Sequence, residues 1–461
     1  MVIFWLASFC LTLCLALPGL QLDTDISQFH ESVIINRDVC VIGGGASGTY
    51  AAVRLRQMGH SVAVVEKEPV LGGHTNTYFD PVSGRYVDYG VLVFQDIPEV
   101  RSYFEHFNIS TTIQVFDRLG PGQRVDIRTG ERVPPPAGNV TAAIIRYTEQ
   151  LAKYPYLSDG WDLPNPVPED LLMPFGKFIE KYDLGPAVEI LTLYIQGLGD
   201  WLQYPTVYMM KYFSLAVVNG SQNGFLVTVN RNNGALYQAA TKELGSDALL
   251  SSTVLAMDRP QNRPHTILVR TPSGIKLIRA KKTIITIPPK VNILRNFNLD
   301  TEERSLFEQF RNTYYYTTVT KVSGLPAGLQ IINRAADTPY NLPPLPAVYL
   351  MSPTVAPDLY SIYYGGPQNE PDDQVKRRVR DSVRILRKAG FNTSEPEILA
   401  FSNHSPFELF VSAEQIADGF YRDLDGLQGH RSTYYAGAAF HTHDSSALWR
   451  FVDGLLRRMY P

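Results

Sequence analysis

Cysteine is almost missing from this chain. Of 461 residues only three are Cys, and Cys10 and Cys14 both lie in an apolar run at the amino terminus. Cys40 is then left without an internal partner, so no disulfide framework holds the fold. An excess of one charge is also lacking: 42 Lys and Arg face 45 Asp and Glu, a net charge of −3. Such a balance gives no electrostatic bias towards nucleic acid, and none is expected as a partner. Long apolar runs are scarce too. Residues 2–17 form one, closed by Pro18-Gly19, and it falls short of the roughly 20 residues that span a bilayer. It reads as the core of a signal peptide over residues 1–19, with an uncleaved anchor as the other reading. Sequons at Asn108, Asn139, Asn219, Asn392 and Asn403 agree with a secretory route, so a secreted glycoprotein without a membrane span is expected.

What is present is concentrated in residues 39–66. An apolar β-branched run over 39–42 reads as a buried parallel strand. Gly43, Gly45 and Gly48 follow at G-x-G-x-x-G spacing, then a helical pattern from Ala46 to Met58 with Gly59 as its stop. A second strand over 61–65 ends on Glu66. Gly43 permits the tight turn, Gly45 lets backbone approach a pyrophosphate, and Gly48 allows the helix to lie close on the strand. Ala46 and Ser47 open the helix, whose unpaired N–H groups and positive dipole end face the phosphates. Glu66 is placed to accept from both ribose hydroxyls and to repel a 2′-phosphate. The pattern implies a bound dinucleotide.

Further on, Leu71-Gly72-Gly73-His74-Thr75 is a glycine turn, and Tyr86-Val87-Asp88-Tyr89-Gly90 a short strand ending in an acid and a glycine. This order resembles the flavin-containing amine oxidase superfamily, and within it the fungal β-cyclopiazonate dehydrogenase-like FAD oxidoreductases. The resemblance implies an α/β fold: a Rossmann-type FAD-binding domain interleaved with an α+β substrate domain. The FAD-binding parts are placed at 33–100, 221–290 and 401–461, and the substrate parts at 101–220 and 291–400. Gly72, Gly73 and His74 would touch the cofactor, His74 standing where relatives carry Arg. Val254 would pack on adenine. Gly437, ending a strand from Thr433, would meet the pyrophosphate, and Ser445 would start a helix aimed at the flavin. The family's acid after that glycine is Ala438 here. Lys321, closing 314–321, would be a buried lysine holding water against flavin N5; an exposed surface lysine is the alternative.

The remaining signals are less specific. Tyr194, Trp201, Tyr204, Tyr208, Tyr212 and Phe213 suit either a helical core or a pocket lining. Helices are expected over 140–153, 170–182 and 374–389, a hairpin over 266–279, a strand over 283–287 and a turn over 363–366. His441, His443 and Asp444 have no visible further ligands, so no metal is expected and they stand near the flavin instead. The expected function is FAD-dependent C–N oxidation or oxidative cyclisation of an amine-bearing or indole-type small molecule of secondary metabolism, by hydride transfer to N5. A plain amine or amino-acid oxidase forming peroxide, and a flavin-binding protein without turnover, are the competing readings.

Overall fold

The computed structural model describes residues 29–116 and 122–461, so the signal segment expected over 1–19 lies outside the described residues. β1 (Ile34–Ile42) runs into α1 (Ala46–Gln57) and β2 (Val62–Val65). Val39, Val41, Val62 and Val64 point to the face covered by α1 and by the last helix, Ser445–Met459. Cys40, Ile42, Ala63 and Val65 point to the opposite face and the larger core. That two-residue alternation, apolar on both sides, is what a doubly covered parallel strand requires.

Seven strands form the first sheet. Six follow the order Ala248–Leu249, β2, β1, Gly274–Ile285, His265–Thr271, Thr253–Asp258, and Thr433–Tyr435 adds to Gly274–Ile285. Register decides the function of this sheet. Ile42 pairs with both Val65 and Ile285, and Ile285 pairs in parallel with Tyr435. Four strand ends therefore stop at one level, and the residues after them share one carboxyl edge, where ligands of open α/β sheets bind.

The second sheet runs Glu397–Asn403, Tyr314–Lys321, Leu359–Gly366, Ala347–Pro353, Gln330–Asn333, Gly122–Val125. Helix Asp372–Ile385 covers it with Val375, Val379 and Val383, which are fully buried. A buried ion pair ties helix Thr301–Phe307 to the first sheet. Both guanidinium nitrogens of Arg259 lie 2.6 Å from the Glu303 carboxylate, and the hydroxyl of Tyr435 donates to the same Glu303.

Three expectations are corrected. Residues 170–182 form two helices, Glu169–Leu172 and Phe175–Lys181, because Pro174 between them has no N–H to continue the ladder. The separate strands at 276–279 and 283–287 are one twelve-residue strand, Gly274–Ile285. Residues 363–366 are the end of strand Leu359–Gly366 rather than a turn.

Candidate active site

At the carboxyl edge the chain folds three glycine turns against one another. Gly43 donates its N–H to Val65 O at 2.9 Å, and Thr286 Oγ1 donates to Gly43 O at 2.9 Å. A Cβ on Gly48 would stand 1.9 Å from Gly43 O, so only glycine lets α1 lie this close to β1. Gly72 donates to Gly44 O at 2.8 Å, and a Cβ on Gly73 would fall 2.8 Å from Gly45 Cα. Gly437, with φ of 103°, arrives from the other end of the chain, its Cβ position 3.0 Å from Thr286 O.

This edge fits an extended dinucleotide. Gly45 caps α1 without a side-chain hydrogen bond, so the first N–H groups of the helix at Ala46, Ser47 and Gly48 have no side-chain acceptor. The Ser47 hydroxyl is buried there without a hydrogen-bond partner. Glu66, 7 % exposed, is held in place by Gly44 N–H at 2.6 Å and Glu68 N–H at 2.8 Å, which leave lone pairs for two hydroxyl donors. Ser252 N–H donates to Glu66 O at 2.8 Å, and Val254 stands half-buried two residues beyond. The C-terminal helix is less open than expected. Its cap Asp444 accepts from the N–H groups of Ser446 and Ala447, and Gln95 Nε2 donates to Asp444 at 2.7 Å.

Beside this edge lies a stack of rings that no sequence period announces. His74 stacks on His404 at 4.3 Å between centroids, and Phe407 stacks on His443 at 4.0 Å. Tyr315 packs on Phe407 at 4.8 Å, and Tyr212 faces His443 at 6.0 Å. Burial pushes the His404 imidazole down to about 3. Burial, then the neighbouring His404 and His443 rings, holds His74 well below its usual range. Both rings are therefore neutral at ordinary pH. His443 Nε2 lies 3.2 Å from Phe407 O and 3.2 Å from Glu408 Oε2. A carbonyl only accepts, so Nε2 donates to it, and in the neutral form of the ring the lone pair lies on Nδ1. His441 turns away from its neighbour, its Nε2 donating to Ser158 O at 3.0 Å. Residues Ala438–Phe440 form a 3-10 turn, not a strand, so the two histidines share no strand face.

Lys321 requires a correction. The strand Tyr314–Lys321 meets the ring stack with its first residues, at Tyr315, and Lys321 is exposed at the opposite end. At about 3.3 Å per residue the separation along the strand is roughly 20 Å. Lys321 therefore does not reach the ring stack, and the role of a buried lysine beside the flavin is withdrawn from it.

A cavity of about 410 Å³ opens next to the stack. Gln196, Trp201, Pro343, Pro344, Tyr349 and Arg334 are among its walls. Gln196 Oε1 accepts from Tyr315 OH at 3.2 Å, which joins the cavity to the ring cluster. The aromatic run over 194–213 thus divides: Trp201 lines the cavity, Tyr212 faces His443, and Tyr208 and Phe213 are core. His404, Phe407 and Glu408 escaped the sequence reading because they sit in an irregular loop between strands, where no periodicity marks them.

A glycine-lined carboxyl edge with an acid at the second strand end defines a dinucleotide-binding oxidoreductase fold. Residues 46–445 match the family model described as flavin containing amine oxidoreductase. The chain is 40 % identical over 442 residues to the FAD-dependent oxidoreductase oblC of Cochliobolus heterostrophus, covering 92 % of this chain and 91 % of that one. It is 34 % identical over 434 residues to the beta-cyclopiazonate dehydrogenase of Aspergillus oryzae, with 92 % and 93 % covered. Among solved structures, the CLA-producing fatty acid isomerase from P. acnes superposes with a TM-score of 0.74 at 19 % identity, over 92 % of this chain and 99 % of that one. The chain belongs to the flavin-containing amine oxidoreductase family; it is an oxidoreductase, and its cofactor is FAD.

Proposed function

We propose that the protein is a secreted enzyme that oxidises an amine-bearing or indole-type small molecule of secondary metabolism at a carbon next to nitrogen. FAD would supply the redox chemistry as the hydride acceptor. The glycine turns at Gly43, Gly45, Gly72, Gly73 and Gly437, with Ala46, Ser47 and Gly48 at the start of α1, would hold its phosphates. Glu66 would hold the ribose, Val254 would pack beside the adenine, and His74 would border the ring end.

The observation that carries the reading is the His443–Glu408 pair at the junction of cavity and cofactor edge. Glu408 and the Phe407 carbonyl fix the proton on Nε2, so Nδ1 accepts the proton that an amine must lose before its carbon gives up hydride. The neutral His74 and His404 rings beside it add no positive charge to repel a cationic amine. Trp201 and Tyr349 give flat walls for an aromatic body. The relative named beta-cyclopiazonate dehydrogenase supports oxidation of a fungal small molecule.

Anaerobic mixing of the purified holoenzyme with a panel of indole amines tests this. Bleaching of the flavin by at least one of them is expected; no bleaching by any member would refute the substrate class. Repeating the reaction in air, with peroxide assayed, separates an oxidase from a dehydrogenase. For the ribose contact, Glu66→Ala should weaken FAD about ten- to a hundredfold, the worth of one or two charge-assisted hydrogen bonds. Unchanged affinity in a flavin titration would remove Glu66 from the ribose. All five sequon asparagines are exposed. Expression in a secreting fungal host should therefore put glycosylated protein in the medium, its mass falling on enzymatic deglycosylation; unglycosylated protein confined to the cells would contradict secretion.

A further inference from the structure

One wall of the cavity holds a charge that the proposed chemistry does not use. Arg334 is 4 % exposed and lines both this cavity and an adjoining one of about 310 Å³. Its nearest carboxylate is Glu189, itself 6 % exposed, but Glu189 is already engaged. Arg124 meets it as a fork, Nε at 2.8 Å from Oε2 and Nη2 on Oε1. Arg334 Nε stands 3.6 Å from Glu189 Oε2, too far for a hydrogen bond. Its other recorded partners are neutral: Nη1 donates to Asn333 O and Nη2 to Thr192 Oγ1, each at 2.8 Å.

Two guanidiniums thus share one carboxylate, and among the described residues no second anion meets them. The cluster carries one net positive charge inside the protein. A buried charge without a counter-charge is costly, and a guanidinium fork is shaped for a carboxylate. Burial lowers Arg334 to about 10, still charged at neutral pH. Among the described residues, three of its five N–H groups have no hydrogen-bond acceptor. Around it the wall is apolar, with Leu193, Trp201, Leu342 and Leu345 facing the same space.

We infer that the substrate carries a carboxylate on an aromatic or hydrocarbon body, and that Arg334 binds that carboxylate at this wall of the cavity. The inference rests on the reading of this cavity as the substrate site. It assigns a binding residue for one end of the molecule, opposite the end that meets His443. Thr192 positions the guanidinium through its hydroxyl, which itself donates a hydrogen bond to the Glu189 backbone O at 2.6 Å.

Calorimetric titration of the wild-type holoenzyme with indole-3-acetate, indole-3-acetamide and tryptamine tests the assignment. The acid should bind about tenfold or more tightly than the isosteric amide, the worth of a charge-assisted contact. Arg334→Gln should bring the acid to the affinity of the amide while leaving the amide unchanged, and Arg334→Lys should fall between. Equal affinity of acid and amide in the wild type, tighter binding of tryptamine than of the acid, or no binding of the acid would overturn it. These comparisons need no variant, so they hold even if Arg334→Gln does not fold. The two readings fail separately: flavin bleached by tryptamine with no binding of the acid removes only the anion site. Tight binding of the acid with no bleaching by any indole amine removes only the proposed oxidation.

Discussion

Gly45→Val should give a folded but colourless protein. Gly45 has φ of −73° and ψ of −166°, a conformation open to any residue, and a Cβ there would meet only Gly73 Cα, at 3.7 Å. Neither backbone strain nor a clash prevents the apoprotein from folding. The added methyl groups would instead fill the notch between the Gly43–Gly45 and Gly72–Gly73 turns, along which the pyrophosphate must approach. Loss of the phosphate contacts at the helix start should weaken FAD at least about a hundredfold, near 2.7 kcal/mol. Flavin content per chain and a thermal melt of the variant check this together. A variant that melts like the parent but holds no flavin is expected; one that purifies fully yellow would contradict it. Gly48→Val is the contrast, because its Cβ would strike Gly43 O at 1.9 Å and separate α1 from β1. That substitution should cost the fold itself, not only the cofactor.

His443→Ala should slow flavin reduction by about 10²- to 10⁴-fold while FAD stays bound. The argument is the tautomer: with Nε2 held by Phe407 O and Glu408, Nδ1 is the nitrogen able to take a proton. Glu408→Gln keeps the size of the side chain but removes the charge that favours the protonated ring, so it should slow the step less than His443→Ala does. His441→Ala serves as the internal comparison. It lies two residues away in sequence, yet its ring faces Ser158, so reduction should stay within a few-fold of the parent. Anaerobic rapid mixing with a reducing indole amine, followed at the flavin absorbance, reads all three. Equal rates for His443→Ala and the parent would take the proton-accepting role from His443.

Much of the cofactor edge was legible from residues alone because each part of it is a local signal. A β-branched run, a glycine spacing, a helix period and a terminal acid are all set by neighbours within 28 residues, and the register of β1, β2 and Gly274–Ile285 then aligns their ends. The same holds for Gly437, whose strand and following helix are both local patterns. The ring cluster was not legible. His74, His404 and His443 come from three separated stretches, and nothing in any one of them reports that the other two lie within van der Waals reach. Lys321 shows the opposite failure. It closes strand Tyr314–Lys321, whose direction relative to the site is set by long-range pairing with Leu359–Gly366, which no local pattern encodes. The Arg124–Glu189–Arg334 cluster likewise depends on three remote segments meeting.

The visible spectrum of the purified protein, taken before and after acid precipitation, tests the central claim most directly. The account predicts the absorbance of an oxidised flavin at one FAD per chain, bound between the β1–α1 turn and Gly437, which follows strand Thr433–Tyr435. A protein that is colourless and takes up no added FAD would contradict it.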